Sequence, residues 1–189
     1  MKLKIAIISI IISVFAPSVF AATPGFEVGI GSGYVFYGSK DIRERNNSLG
    51  DTNQIILNFD AKVLYPLEDS IYISFGGDMT LDARWKGSNH INLLDYAGLL
   101  GFKIYPHIAG LVFSVDYALG RRTDFIGIDD QDAYAESTSW GNGFRIDAAY
   151  DFSVHTKGFA PALGLSWKNM PRGNYRDNIL AIYLRFGRK

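Results

Sequence analysis

Eight short segments of this chain alternate apolar and polar residues, and a period of two is the signature of β-strands. From 109 to 119 every odd position is apolar (Ala109, Leu111, Phe113, Val115, Tyr117, Leu119), while the even positions hold Gly110, Val112, Ser114, Asp116 and Ala118. The same alternation runs over 55–65, 71–81, 94–104, 140–150, 159–167 and 180–186, and more weakly over 26–37, where Gly29, Gly31 and Gly33 share the polar parity with Glu27. Ser32, Asn142 and Pro161 interrupt the apolar parity. The connections alternate in length. Three are compact (66–70, 106–108, 151–158) and four are longer or more polar (38–53, 82–90, 120–137, 169–177).

A soluble sandwich or lipocalin-like barrel would also alternate, with its apolar parity buried and its polar parity in water. Two features point instead to lipid. The polar parity is rich in glycine and carries both signs of charge. The aromatics of the apolar parity gather at strand ends: Tyr34, Phe36, Tyr96, Tyr117, Trp140 and Trp167 toward the longer loops, and Tyr65, Phe102, Tyr150, Phe159 and Phe186 toward the short turns or the chain end. Aromatic girdles flanking an aliphatic band are what two membrane interfaces select. The expected fold is therefore all-β, an eight-stranded antiparallel up-and-down transmembrane barrel. Its short turns and both termini are expected in the periplasm and its longer loops outside.

The first residues fit export. Lys2 and Lys4 precede an apolar run from Ile5 to Phe20, and Val19 and Ala21 satisfy the small-residue rule for cleavage after Ala21. The expected organisation is a cleaved signal peptide over 1–21 and one barrel domain over 22–189. No later segment holds the ~20 consecutive apolar residues of a membrane helix. Without Lys2 and Lys4 the chain keeps 17 basic and 19 acidic residues, a net charge of −2, which gives no reason to expect nucleic acid as a partner. With no cysteine, disulfides and thiolate metal sites are excluded.

The layout of signal segment, eight alternating strands, three tight turns and a last strand ending in an aromatic resembles the small OmpA/OmpX-type barrels. The resemblance covers nearly all of the chain after the signal segment. It implies a Gram-negative outer-membrane location, a barrel that is not an enzyme, and outer-membrane lipid and the barrel-assembly machinery as partners. The segment 179–186 is similar to the C-terminal assembly signal of such proteins, except that Phe186 is followed by Gly187, Arg188 and Lys189.

Three sets of residues are candidates for function. The polar parity holds Glu27, Asp60, Asp78, Asp95, Asp116 and Asp147 against Lys62, Lys103, Arg145, Lys168 and Arg185. An eight-stranded barrel is just wide enough for side chains to fill, and unpaired buried charges are costly, so an internal ion-pair network is expected. The alternative is a narrow channel for small solutes, with the glycines of that parity leaving room. On the longer loops, Arg43, Arg45, Arg84, Lys86, Arg121, Arg122, Arg172 and Arg176 (with Lys40) form an expected basic rim. The guanidinium fork matches phosphate, which makes lipopolysaccharide a natural partner, beside host surfaces or other molecules. The third set, His90 with Ser88 and Asp82, is the one conceivable nucleophile–base–orienter group for an enzyme acting on outer-leaflet lipid A. His107 and His155 fall in the short turns, on the wrong side for that chemistry. The carboxylates Asp124, Asp129, Asp130, Asp132 and Glu136 lack the spacing of a calcium loop, so no metal or other cofactor is expected.

Overall fold

The computed structural model describes residues 23–106, 108–128, 132–154 and 161–188. The expected signal segment 1–21, together with His107, Asp129, Asp130, His155 and Phe159, lies outside the described residues. The chain runs through β1 (Gly25–Phe36), a helix α1 (Lys40–Ser48), β2 (Asn53–Glu68), β3 (Ile71–Lys86), β4 (Asn89–Ile104), β5 (Leu111–Gly127), a short β6 (Tyr134–Ser137), β7 (Gly141–Asp151), β8 (Pro161–Arg172) and β9 (Tyr175–Arg188). All strand pairings among the described residues are antiparallel. β1 pairs with both β2 and β9 and β4 pairs with β5, so eight strands close into a ring, with β6 an added flap on β5. Closure satisfies the backbone groups that lipid cannot.

The register fixes the shape. Partners followed once round the ring, from Leu64 through Ser74, Gly101, Asp116, Arg145, Lys168 and Ile179 to Val35, arrive on β1 ten residues beyond Gly25, which itself pairs with Leu64. With ~3.3 Å per residue and ~4.8 Å between strands, that shear tilts the strands by ~41° and sets a backbone radius of ~8 Å. The same geometry levels the end with the short turns (the turn end). At the other end (the loop end) it leaves β3, β4 and β5 standing ~10 Å above β7, β8 and β1.

Two connections read as long loops are two-residue hairpins: Gly87–Ser88 between β3 and β4, and Gly173–Asn174 between β8 and β9. Gly87 and Gly173 both sit at φ 61°, a conformation that favours glycine. β4, β8 and β9 continue past the point where their outward residues stop being apolar, and β3 keeps its alternation through Ala83 and Trp85.

The alternation sorts faces as expected. Phe75, Leu100, Phe102, Val115, Leu165 and Ile182 each expose more than half of their surface on the outside, whereas Asp116, Lys62 and Arg185 are buried inside. So extensive an exposed apolar belt is a lipid-facing surface and not one made for water. The girdles need one adjustment. Tyr117 and Trp167 pair across the strands with Leu100 and Leu180 near mid-height, while Tyr34, Phe36, Tyr96 and Trp140 mark the loop-end edge.

The interior is not polar throughout. Beneath the loop end, Val35, Tyr37, Ile56, Ile91, Leu93, Ile126 and Ile179 form an apolar layer, and Ile42 and Leu49, at the two ends of α1, close over it. Ser39 caps the helix by accepting from the Ile42 amide at 3.5 Å, and Asp41 lies in the first turn, where the helix dipole favours an acid.

Candidate functional site

The eleven charged residues of the inward parity meet below the apolar cap in one connected set of ion pairs. Arg145 spans three carboxylates: Nη2 donates to Asp60 at 2.8 Å, Nη1 to Asp78 at 3.2 Å and Nε to Asp147 at 2.7 Å. Arg185 donates to Asp60 at 2.8 Å and to Asp147 at 3.0 Å, and lies 3.9 Å from Glu27, which pairs with Lys103 toward the turn end. Lys62 donates to Asp116 at 2.5 Å, and Ser74 and Ser114 donate to Asp116 and Asp147. Upward, Lys168 bridges Asp78 and Asp95 at 2.7 and 2.8 Å.

The set then continues through residues not expected in it. Asp95 pairs with Arg172, Arg172 donates to Asp177 at 2.9 Å, Arg122 donates to Asp177 at 2.5 Å, and Arg122 grips Asp124 at 2.6 and 3.0 Å. Acid and base thus alternate from the loop end to the turn end.

The glycines of this parity do not open a lumen, because cross-strand carbonyls (at Gly31, Gly33, Gly76, Gly101, Gly141 and Gly143) or neighbouring side chains occupy the space that their missing Cβ atoms leave. A Cβ on Gly29 would lie 2.7 Å from an Asp60 oxygen, one on Gly101 2.8 Å from an Asp116 oxygen, and one on Gly164 2.7 Å from the Tyr183 ring. The void at the level of Asp60, Asp78, Arg145 and Lys168 is about 10 Å³, room for about one water.

The expected basic rim divides. Arg122 and Arg172 belong to the interior, being 2 % and 1 % exposed, because β5 and β8 extend further than their apolar alternation and keep these side chains in the inward parity. Arg84 turns to Asp82 at 3.2 Å, and Lys86 donates to the Leu49 carbonyl at 3.1 Å. Arg43 donates to the Tyr37 and Gly38 carbonyls at 2.8 and 2.9 Å, and Arg45 pairs with Glu136 on β6 at 2.6 Å. Arg121 faces outward, its guanidinium 6.0 Å from the centre of the Trp140 ring and its buried Nε without a hydrogen-bond partner. Arg176 is exposed on the outward parity of β9.

His90, Ser88 and Asp82 do not form one site. His90 lies on the outward parity of β4 with Nδ1 3.3 Å from the Ser88 carbonyl. Asp82 points inward, is 1 % exposed, and accepts from Tyr37 at 2.8 Å and from Gln54 at 2.8 Å. Burial, reinforced by the Asp82 carboxylate, holds the Tyr37 phenol well above its ordinary pKa, so it remains a donor. Among the described residues no three His, Asp or Glu side chains cluster to hold a metal ion.

Asp124, Asp177 and Tyr37 are the members that sequence reasoning missed. Their signal was parity: Asp124 lies eight positions from Asp116, and Asp177 eight from Arg185, each on the same face of its strand.

No family model matches the sequence, and no curated protein matches it. Solved structures share the fold. The crystal structure of Ail, the attachment invasion locus protein of Yersinia pestis, has a TM-score of 0.56 at 12 % identity, over 88 % of this chain and 100 % of that one. A second structure of Ail, in complex with the heparin analogue sucrose octasulfate, has a TM-score of 0.56 at 9 % identity, covering 87 % and 97 %. Neisserial surface protein A has a TM-score of 0.51 at 11 % identity, covering 86 % and 95 %. The chain is thus an eight-stranded barrel of the outer-membrane type.

Proposed function

We propose that this outer-membrane barrel has a closed bore, is not an enzyme, and acts through its loop end as a surface for contact. In this reading both termini and the short turns face the periplasm, β9 carries the signal for the assembly machinery, and the outward bases at the loop-end edge of the belt hold lipopolysaccharide phosphates. The rest of the loop end meets host surfaces or partner molecules. The carrying observation is the interior: an ion-pair chain from Asp124 to Lys103, its part below Arg172 covered by an apolar cap closed by Ile42 and Leu49, supports a scaffold over a channel for small solutes. Arg121 supports the phosphate contact, since its outward guanidinium lies beside a girdle tryptophan. The complex of Ail with a heparin analogue is in keeping with a small barrel that meets a polyanion.

The test has two arms. Purified protein in planar bilayers is expected to pass no steady current, and sustained single-channel conductance would overturn the closed bore. Binding of lipopolysaccharide is expected to weaken at least tenfold when Arg121→Gln and Arg176→Gln are combined, since even one hydrogen bond to a charged group contributes ~1.5–3 kcal/mol. Unchanged affinity would remove the phosphate contact.

A further inference from the structure

A polar cleft lies at the loop end between α1 and β6, floored by Arg122, Asp124 and the ring of Tyr175. Its volume is about 220 Å³, the space of about seven waters at ~30 Å³ each and less than the ~300 Å³ at which sites for drug-sized ligands begin. We infer that it binds one sugar residue that is uncharged or carries an amine, a site distinct from the outward bases of the phosphate contact and going beyond that reading.

Charge decides the class of ligand. The two bases lining the cleft are already committed: Arg45 to Glu136 at 2.6 Å, and Arg122 to Asp124 at 2.6 Å and to Asp177 at 2.5 Å. Asp41, Asp124 and Glu136 leave the walls with one more acid than base, so a phosphate or sulfate entering here meets carboxylates and finds no free cation. Asp41 has no partner among the described residues and offers two acceptor oxygens.

Shape and polarity point to a sugar. Ser39, Ser137 and Thr138 line the walls with hydroxyls. Ser39 accepts from the Ile42 amide and keeps its own proton to donate, and Ser137 shares one bond with Thr123 at 3.0 Å. Thr138 is already bonded to the Arg122 amide and the Ser139 carbonyl, so Ser39 and Ser137 are the two that can meet ligand hydroxyls. Tyr175, half-buried, supplies an apolar surface for the C–H face of the same ring. A flat ligand with one apolar face and a polar edge satisfies both. A metal ion fits poorly, because no triad of acids or histidines converges here among the described residues.

The full chain, folded in micelles and checked by its heat-dependent gel mobility, would be examined by saturation-transfer NMR. The probes are methyl glucoside, methyl galactoside, glucosamine and glucose 6-sulfate at millimolar concentration. Transfer is expected to at least one uncharged or amine-bearing sugar and not to the sulfate. Asp41→Ala and Tyr175→Ala should each weaken binding about tenfold, the loss of one hydrogen bond to a charge or one ring contact. Ser137→Ala stands in if Tyr175→Ala does not fold. Combined Arg121→Gln and Arg176→Gln should leave sugar binding unchanged, which separates this site from the phosphate contact. Absence of transfer from every uncharged and amine-bearing probe, preference for the sulfate, or binding indifferent to Asp41→Ala and the second variant would each overturn the inference.

Discussion

Arg145 sits where three carboxylates converge, and its removal measures what the bore contributes to stability. Arg145→Met would leave Asp60, Asp78 and Asp147 sharing Arg185, Lys168 and Lys62. Breaking a buried network by deleting one partner costs ~3–5 kcal/mol, so the urea midpoint in lipid vesicles should fall accordingly. The exposed pair Lys40–Glu44, at 3.3 Å, provides the contrast: Glu44→Gln should move the midpoint by less than ~0.5 kcal/mol, because water screens it. An equal response to both variants would mean that burial of the network adds nothing. Parity made this network legible, since each of its eleven expected members follows from a period of two. Arg122 and Arg172 were not legible as members. Both lie past the last apolar outward residue of their segments, where a charged run reads as loop, and only the inter-strand hydrogen bonds show the strand continuing.

The one helix obeys a different logic. α1 falls in a stretch whose polar composition reads as loop, although Ser39 as cap and the seven-residue spacing of Ile42 and Leu49 mark two helical turns with one apolar face. What the sequence could not show was a place for that face to go, because an interior taken as polar leaves no apolar seat. Ile42 is 3 % exposed, so Ile42→Ala should cost ~2–4 kcal/mol locally, freeing the helix without opening the barrel. Limited proteolysis should then cut within 38–52 many times faster while the barrel core stays resistant. Ser39→Ala, worth ~1 kcal/mol as a lost cap, should give a smaller increase in the same direction. Equal protection of wild type and both variants would show that α1 is not held by this seat.

For the whole molecule, the shear and the register predict a depth for each of the three tryptophans. From the tilt of ~41°, Trp167 lies near the middle of the belt, Trp140 at its loop-end edge and Trp85 ~5–10 Å above that edge. In single-tryptophan variants reconstituted with lipids brominated along their chains, quenching should follow Trp167, then Trp140, then Trp85, with Trp85 close to unquenched. Any other order would displace the barrel in the membrane or change its register.

The uneven height of the wall gives the barrel a front and a back. β3, β4 and β5 rise behind α1, β6 and Tyr175, whereas β7, β8 and β1 end ~10 Å lower before them. A protein held in a membrane turns freely only about the membrane normal, so this asymmetry is an azimuth. Neighbours in the same leaflet reach the cleft from one bearing and meet a bare palisade from the opposite one. Encounter there is a search over angle in two dimensions, and ligands that lie along the membrane have a shorter approach than those arriving over the high side.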